Sequence, residues 1–60
     1  MNKFNLNDLV RDKVTGYSGR ITALASYVSG ETRYLVENVD STGRPIEFWY
    51  DESRLVKEEK

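Results

Sequence analysis

Pairs of acidic residues are the first groups in this sequence that could take part in catalysis. Two nearby carboxylates can act as general acid and general base when a pocket removes one of them from water and raises its pKa. Neighbouring acids in a turn more often cap that turn or stay solvated. We therefore expect no catalytic residues and a protein that is not an enzyme. The acidic pairs are Asp51 with Glu52, Asp8 with Asp12, and Glu58 with Glu59.

Other reactive chemistry is limited by the residue types that the chain lacks. The 60 residues include no cysteine and no histidine, which excludes disulfides, thiolate or imidazole zinc sites, and catalysis that relies on either side chain. Asp40, Asp51 and Glu52 could supply carboxylates to a metal, but they lack the spacing of a calcium-binding loop. We therefore expect no metal and no cofactor.

The glycine-containing stretch GYSG, residues 16–19, could in principle cradle a phosphate. A phosphate loop needs its glycines at the N-terminus of a helix, whereas a strand is predicted to follow here. The stretch therefore predicts a tight turn, with positive φ angles at Gly16 and Gly19 and with Tyr17 packed over one end of the fold.

Aromatic and arginine side chains are better suited to binding than to chemistry. Phe48, Trp49 and Tyr50 follow one another in the stretch IEFWY, residues 46–50. Neighbouring side chains of a strand point to opposite faces, so the three rings cannot all enter one core. The assignment of strands decides which ring packs inside.

Strand signals separated by short turns dominate the chain and indicate an all-β fold. Ser29 and Gly30 predict a hairpin turn, the stretch DSTGRP at 40–45 predicts another turn, and residues 51–54 predict one helical turn with Asp51 as its N-cap. The predicted strands are Leu9 to Val14, Arg20 to about Val28, Thr32 to Val39, Ile46 to Tyr50, and Leu55 to Lys57.

Five short strands with one helical turn before the last are the order of a small SH3-like barrel, in which closure of the sheet removes exposed edges. We expect residues 1–60 to form this single domain, with residues 1–7 as an N-terminal arm and residues 58–60 as a solvated tail. A chain of this length buries only about 60% of its unfolded surface. Self-association would relieve its marginal stability.

Three segments resemble a family of short, mostly uncharacterised phage and prophage proteins. Residues 8–23, DLVRDKVTGYSGRITA, are similar to that family's pattern K-V-T-G-[FY]-x-G-x-x-T-A. ETRYLVENV and FWYDESRL are similar to its third strand and to its closing W-[FIY]-D-E-x-x-L segment. The resemblance implies a phage-encoded accessory protein on an SH3-like scaffold and supplies no catalytic residues. Members often carry a cysteine where this chain has Glu31, so no role for a thiol carries over.

Strand alternation predicts that Trp49 packs inside. Small alanines leave room for its indole beside an inward set made of Ile21, Ala23, Tyr34 and Val36. The neighbours of Trp49 in the strand, and two leucines with nearby arginines, then point outward. The predicted binding face consists of Arg20, Leu24, Arg33, Leu35, Phe48 and Tyr50.

Three interpretations of this face stay open. The favoured one is a protein interface, with a host or phage protein or with a second copy, because aromatic and arginine side chains dominate interface hot spots. In the phage setting such docking would inhibit a host machine. The alternative is a nucleotide or single-stranded nucleic acid stacked on the rings, against which the net charge of -1 weighs. In the third, barrel curvature and loops cover these side chains.

The N-terminal stretch MNKFNLNDLV has no continuous apolar run. A signal peptide or a membrane span requires one. We therefore expect a cytoplasmic protein without a membrane partner, located in the host cytoplasm if the chain is phage-encoded.

Overall fold

The computed structural model describes residues 3–58 and contains one five-stranded antiparallel sheet in the order β4-β3-β2-β1-β5. A 3-10 turn, Glu52–Arg54, precedes the last strand and is the helical element of residues 3–58. This turn is too short to cross a membrane, and no other helix in the described part could do so. The predicted all-β class, the five strands and the position of the helical turn are confirmed. The strands are β1 (Leu9–Asp12), β2 (Ser18–Ser26), β3 (Thr32–Val39), β4 (Pro45–Asp51) and β5 (Leu55–Lys57).

The core lies on one side of this sheet and includes the predicted inward residues of β3. Phe4, from the predicted N-terminal arm, also belongs to it, and its ring meets the Tyr34 ring edge-on with centroids 5.4 Å apart. At the other end, the Glu58 N–H donates to Leu9 O at 2.8 Å, and residues 59 and 60 lie outside the described residues. The buried apolar residues are Phe4, Val10, Ile21, Tyr34, Val36 and Leu55.

Glycines serve two different purposes in the turns and strands. Gly16 and Gly30 adopt φ angles of +82° and +95°, which confirms the two predicted turns. Gly19 lies within β2 without a positive φ, so that part of the prediction is wrong. A Cβ atom at position 19 would lie 2.4 Å from the carbonyl oxygen of Glu37. Glycine is needed there because the backbones of β2 and β3 approach closely.

The turn between β3 and β4 sets the pairing of these strands. The Asp40 N–H donates to Arg44 O at 2.9 Å, and the Asp40 carboxylate accepts from the backbone N–H groups of Thr42 and Arg44. Asp and Gly are typical of such side-chain-stabilised turns. The closed turn places Val39 opposite Pro45, and every later pair of the two strands follows from that match.

This pairing puts Trp49 on the outside. Trp49 lies opposite Leu35 and Phe48 lies opposite the buried Val36, and directly opposed residues share a face of the sheet. Phe48 and Tyr50 therefore point to the core side, whereas Trp49 points away and is 50% exposed. The prediction that Trp49 anchors the core is wrong, because the assignment of faces in β4 was shifted by one residue.

A β-bulge reverses the alternation partway along β2. The register shifts between Ile21 and Ala23, so Thr22 is an extra residue in this strand. Ile21 faces the core as predicted, but Leu24 lies opposite Tyr34 and packs half-buried against the core. Ala23 instead shares the outer side with Leu35, so the predictions of an inward Ala23 and an outward Leu24 are wrong.

Candidate functional site

The six residues predicted to form one binding face are divided between the two sides of the sheet. Leu24, Phe48 and Tyr50 lie on the core side, where each is opposite a core residue of β3. The prediction of one shared face is wrong because of the bulge in β2 and the register of β4. The predicted residues on the outer side are Arg20, Arg33 and Leu35.

Three aromatic rings meet on the core side of β4, at the rim of the core. The Tyr17 ring meets the Phe48 ring edge-on with centroids 5.4 Å apart and lies 6.0 Å from the Tyr50 ring. Tyr17 and Tyr50 are half-buried against the core, whereas Phe48 is 51% exposed. We call Tyr17, Phe48 and Tyr50 the aromatic patch. Its exposed centre is Phe48.

Tyr17 reaches this patch from the loop between β1 and β2. Its hydroxyl lies 2.9 Å from Ile46 O and 3.3 Å from Val36 O, so it donates to backbone carbonyls of β3 and β4. Burial, followed by the nearby Tyr50 and two glutamates, raises the pKa of Tyr17 and keeps the donor protonated. These hydrogen bonds connect the β1–β2 loop to β3 and β4 next to Phe48.

An ion pair that sequence reasoning missed supports the other side of the patch. Asp12 is completely buried, and the Nε and Nη2 atoms of Arg54 donate to its two oxygens at 2.8 and 2.7 Å. The Arg54 guanidinium holds the pKa of Asp12 well below its usual range. The same guanidinium lies 5.5 Å from the centroid of the Tyr50 ring. The only indication of this ion pair in the sequence is Asp12, a carboxylate at the end of a strand that begins with Leu9 and Val10.

The acidic pair Asp51 and Glu52 is divided between two unrelated contacts. Glu52 accepts a 2.6 Å hydrogen bond from the buried Tyr34 hydroxyl, which lowers the pKa of the Glu52 carboxyl. Asp51 is the N-cap residue of the 3-10 turn, as predicted, but its carboxylate makes no capping hydrogen bond and forms a 2.9 Å ion pair with Arg33 instead. A carboxylate with a lowered pKa is a weak base near neutral pH.

The outer side of the sheet carries an apolar row across three strands. Ala23 of β2, Leu35 of β3 and Trp49 of β4 lie opposite one another, and we call them the outer row. Ala23 and Leu35 are half-buried, and Trp49 is the most exposed of the three. Charged residues border the row on both sides. They are Arg33 and Asp51 on one side, and Arg20, Glu37 and Glu47 on the other.

A cleft of about 310 Å³ runs beside β4, between the aromatic patch and the outer row. This volume is at the lower end of the range of small-molecule pockets. Both arginines of the cleft are already paired, Arg33 with Asp51 and Arg54 with Asp12. Its lining residues are Arg33, Phe48, Trp49, Tyr50, Asp51 and Arg54.

Beside the cleft, β4 forms one end of the sheet. Within residues 3–58, no backbone hydrogen bond joins β4 to a segment other than β3. The same range holds no group of three His, Cys, Asp or Glu side chains able to bind a metal ion. Comparison with protein-family models, with curated proteins and with solved structures finds no match to this chain. The resemblance to phage and prophage proteins therefore stays a hypothesis.

Proposed function

We propose that the protein is a non-enzymatic binding module that docks on a protein partner through the aromatic patch. The observation that carries the proposal is the half-exposed Phe48 ring at the centre of this patch. Tyr17 and Arg54 hold the surroundings of Phe48 through contacts to the backbone and to Asp12. A large ring on a rigid support loses little entropy on binding, which is the property of an interface hot spot.

The free side of β4 supports the same function. A strand at the end of a sheet presents backbone donors and acceptors that an extended segment of another protein can pair with. Phe48 and Tyr50 point to the core side of this strand and would contact alternate side chains of such a segment. Backbone pairing would supply affinity, and the two aromatic side chains would supply selectivity.

The resemblance to short phage and prophage proteins supplies the setting of the proposal. In that setting the partner is a host or phage protein, and docking in the host cytoplasm inhibits a host machine. The balanced composition, with nine basic and ten acidic residues, suits a partner recognised by shape and apolar contact more than by net charge.

Binding of a nucleotide or of single-stranded nucleic acid is the second candidate. One observation favours it: aromatic rings and two arginines line the same cleft beside β4. Against it, the guanidinium groups of Arg33 and Arg54 are occupied by carboxylates, which reduces the positive charge available to a phosphate. The protein partner is therefore the better supported of the two.

Affinity capture with tagged variants tests the proposal. We expect Phe48→Lys to lose a partner that the wild type retains, and Val28→Lys to retain it, because Val28 is fully exposed on the β2–β3 turn and lies outside the patch. With the purified partner, Phe48→Lys should weaken binding at least about tenfold in calorimetry. Equal binding by both variants would exclude the patch.

The same purified samples separate the two candidates. Mass analysis and an ultraviolet spectrum of the wild type would detect a nucleotide that purifies with it. We expect a spectrum of protein alone and no change in melting temperature across a panel of nucleotides. A nucleotide-dependent rise in melting temperature that Phe48→Lys abolishes would replace the protein partner with the second candidate.

A further inference from the structure

The outer row lies on the side of the sheet that the core does not use. The buried apolar residues of the described chain belong to the opposite side, and Trp49 is 50% exposed. The row crosses three adjacent strands, so its apolar atoms are contiguous. A contiguous exposed apolar surface on a small domain is typical of an interaction surface.

We propose that a second copy of this chain covers the outer row, in a face-to-face dimer whose two-fold axis runs along β3. Such an axis exchanges β2 and β4 between the copies because these strands flank β3. Sheets that pack face to face keep their strands within about 30° of each other. Residues that share a cross-strand row therefore meet again in the dimer.

Side-chain size is complementary in this arrangement. Trp49 of one copy lies over Ala23 of the other, and Leu35 meets Leu35 at the axis. A large indole facing a small methyl group lets the two layers interdigitate, as they do inside protein cores. An unrelated partner would not be expected to present a small, a medium and a large side chain opposite Trp49, Leu35 and Ala23, in that order.

Charge is complementary at one border of the row. Arg20 of β2, Glu37 of β3 and Glu47 of β4 form one cross-strand set. Exchange of β2 and β4 puts Glu47 of each copy over Arg20 of the other, which gives two ion pairs per dimer. Glu37 lies on the axis and faces Glu37 of the other copy, and each is opposite Arg20 of its own chain. At the opposite border, Arg33 faces Arg33 of the other copy, and each is already paired with Asp51 of its own chain. The face therefore carries charges of both signs, as self-packing requires.

The dimer leaves the aromatic patch accessible, because Phe48 and Trp49 point to opposite sides of β4. The proposal does not depend on the proposed function. Each dimer would present two patches, so that two linked or repeated partner sites could be engaged together.

Sedimentation velocity and tryptophan fluorescence of the purified chain test the proposal. Trp49 is the single tryptophan, so its emission reports on the outer row directly. Between about 10 µM and about 1 mM we expect the mass to rise from 7.0 kDa toward twice that value. The emission should shift to shorter wavelength over the same range. A monomer at every concentration would overturn the proposal.

Variants distinguish this dimer from other contacts. Trp49→Thr should remain monomeric with an unchanged far-ultraviolet circular dichroism spectrum, whereas Phe48→Lys should dimerise like the wild type. The reverse result would place the dimer contact on the aromatic patch and refute the outer row. If Phe48→Lys dimerises normally but fails to capture the partner, the dimer contact and the partner site are different surfaces.

A charge exchange tests the two-fold axis itself. Glu47→Arg should weaken dimerisation at least about tenfold by placing two arginines together, and Arg20→Glu should weaken it through two carboxylates. The double variant restores opposite charges across the interface and should regain most of the wild-type affinity. Two single variants without effect, or a double variant with an additive loss, would rule out this axis.

Discussion

Arg54 holds the buried carboxylate of Asp12 in a two-point contact, with Nε 2.8 Å from Oδ1 and Nη2 2.7 Å from Oδ2. The pair joins the end of β1 to the 3-10 turn, residues that lie 42 positions apart. A backbone hydrogen bond from Lys13 N to Arg54 O reinforces the same junction. Since Arg54 also lies over the ring of Tyr50, the junction supports the aromatic patch.

Removal of Arg54 should therefore destabilise the whole domain. Arg54→Met leaves the Asp12 carboxylate buried without its cation, and we expect the melting temperature to fall by about 10 °C or more. Thermal unfolding followed by circular dichroism measures this change. Arg44→Met, at an exposed arginine of the β3–β4 turn, is the matched control and should melt like the wild type. Equal melting of both variants would contradict a structural role for the pair.

Stability should fall in acid, and Asp12 should account for much of the loss. Arg54 lowers the pKa of Asp12 from its ordinary value of 3.8, so the unfolded chain takes up a proton before the folded one does. The free energy of unfolding should be constant near neutral pH and decrease as the pH falls below about 4. Glu52 and Asp40, whose pKa values are also lowered, add to this decrease.

Urea unfolding at a series of pH values checks this prediction with Asp12→Asn as the comparison. The variant should be less stable at neutral pH and should lose less stability between about pH 4 and pH 2. An acid limb as steep as that of the wild type would show that other carboxylates control the transition.

Loss of the Tyr34 hydroxyl should lower the free energy of unfolding by about 1–3 kcal/mol. This hydroxyl donates to Glu52 and accepts a 3.3 Å hydrogen bond from the Phe4 backbone N–H. Tyr34→Phe leaves that N–H without its partner and leaves Glu52 with only its hydrogen bond from the Lys3 backbone N–H. Tyr27→Phe removes the same atom from a half-exposed ring and should change stability by less than about 0.5 kcal/mol. Chemical denaturation measures the difference, and equal stabilities would argue against the hydrogen-bonded link.

An alanine at position 19 should destabilise the sheet. Its Cβ would lie 2.4 Å from Glu37 O, a backbone atom that cannot move without disturbing the pairing of β2 with β3. We expect Gly19→Ala to lower the free energy of unfolding by about 1–3 kcal/mol. Ser18→Ala, one residue earlier in β2, should have a much smaller effect. Denaturant unfolding of both variants provides the comparison, and a Gly19→Ala variant as stable as Ser18→Ala would mean that the strands separate without cost.

Trp49 should contribute little to the stability of the monomer. Measured at low protein concentration, Trp49→Thr should change the free energy of unfolding by less than about 1 kcal/mol, since the ring stands on the outer side of β4. Ile21→Ala, in the core, should cost about 2–5 kcal/mol. A larger loss for Trp49→Thr than for Ile21→Ala would restore the inward assignment of the indole.

The sequence alone determined the all-β class, the number of strands and their succession along the chain, and most of the turns. These features depend on local signals: β-branched and aromatic residues in short runs, and Gly30 or Asp40 where a turn needs them. It also identified Ile21, Tyr34 and Val36 as core residues, because alternation within one strand is a local property.

Tertiary structure decided which side of each neighbouring strand faces the core. Alternation leaves two choices of face for every strand, and the choice for β4 follows from its pairing with β3, which the turn at Asp40 fixes. The sequence-based prediction placed Trp49 inside because its ring is large, but ring size does not determine how β4 pairs with β3. Because Val39 lies opposite Pro45, Phe48 lies opposite Val36 and shares its side of the sheet.

Contacts between distant segments could not be predicted from the sequence either. The bulge at Thr22, the burial of Phe4 and the contact of Arg54 with Asp12 each depend on where another part of the chain lies in space. Strand alternation puts Phe48 and Trp49 on opposite sides of β4, and the pairing of β4 with β3 decides which side is which. Only the tertiary structure therefore decided that Phe48 belongs to a patch supported by the core and that Trp49 faces outward.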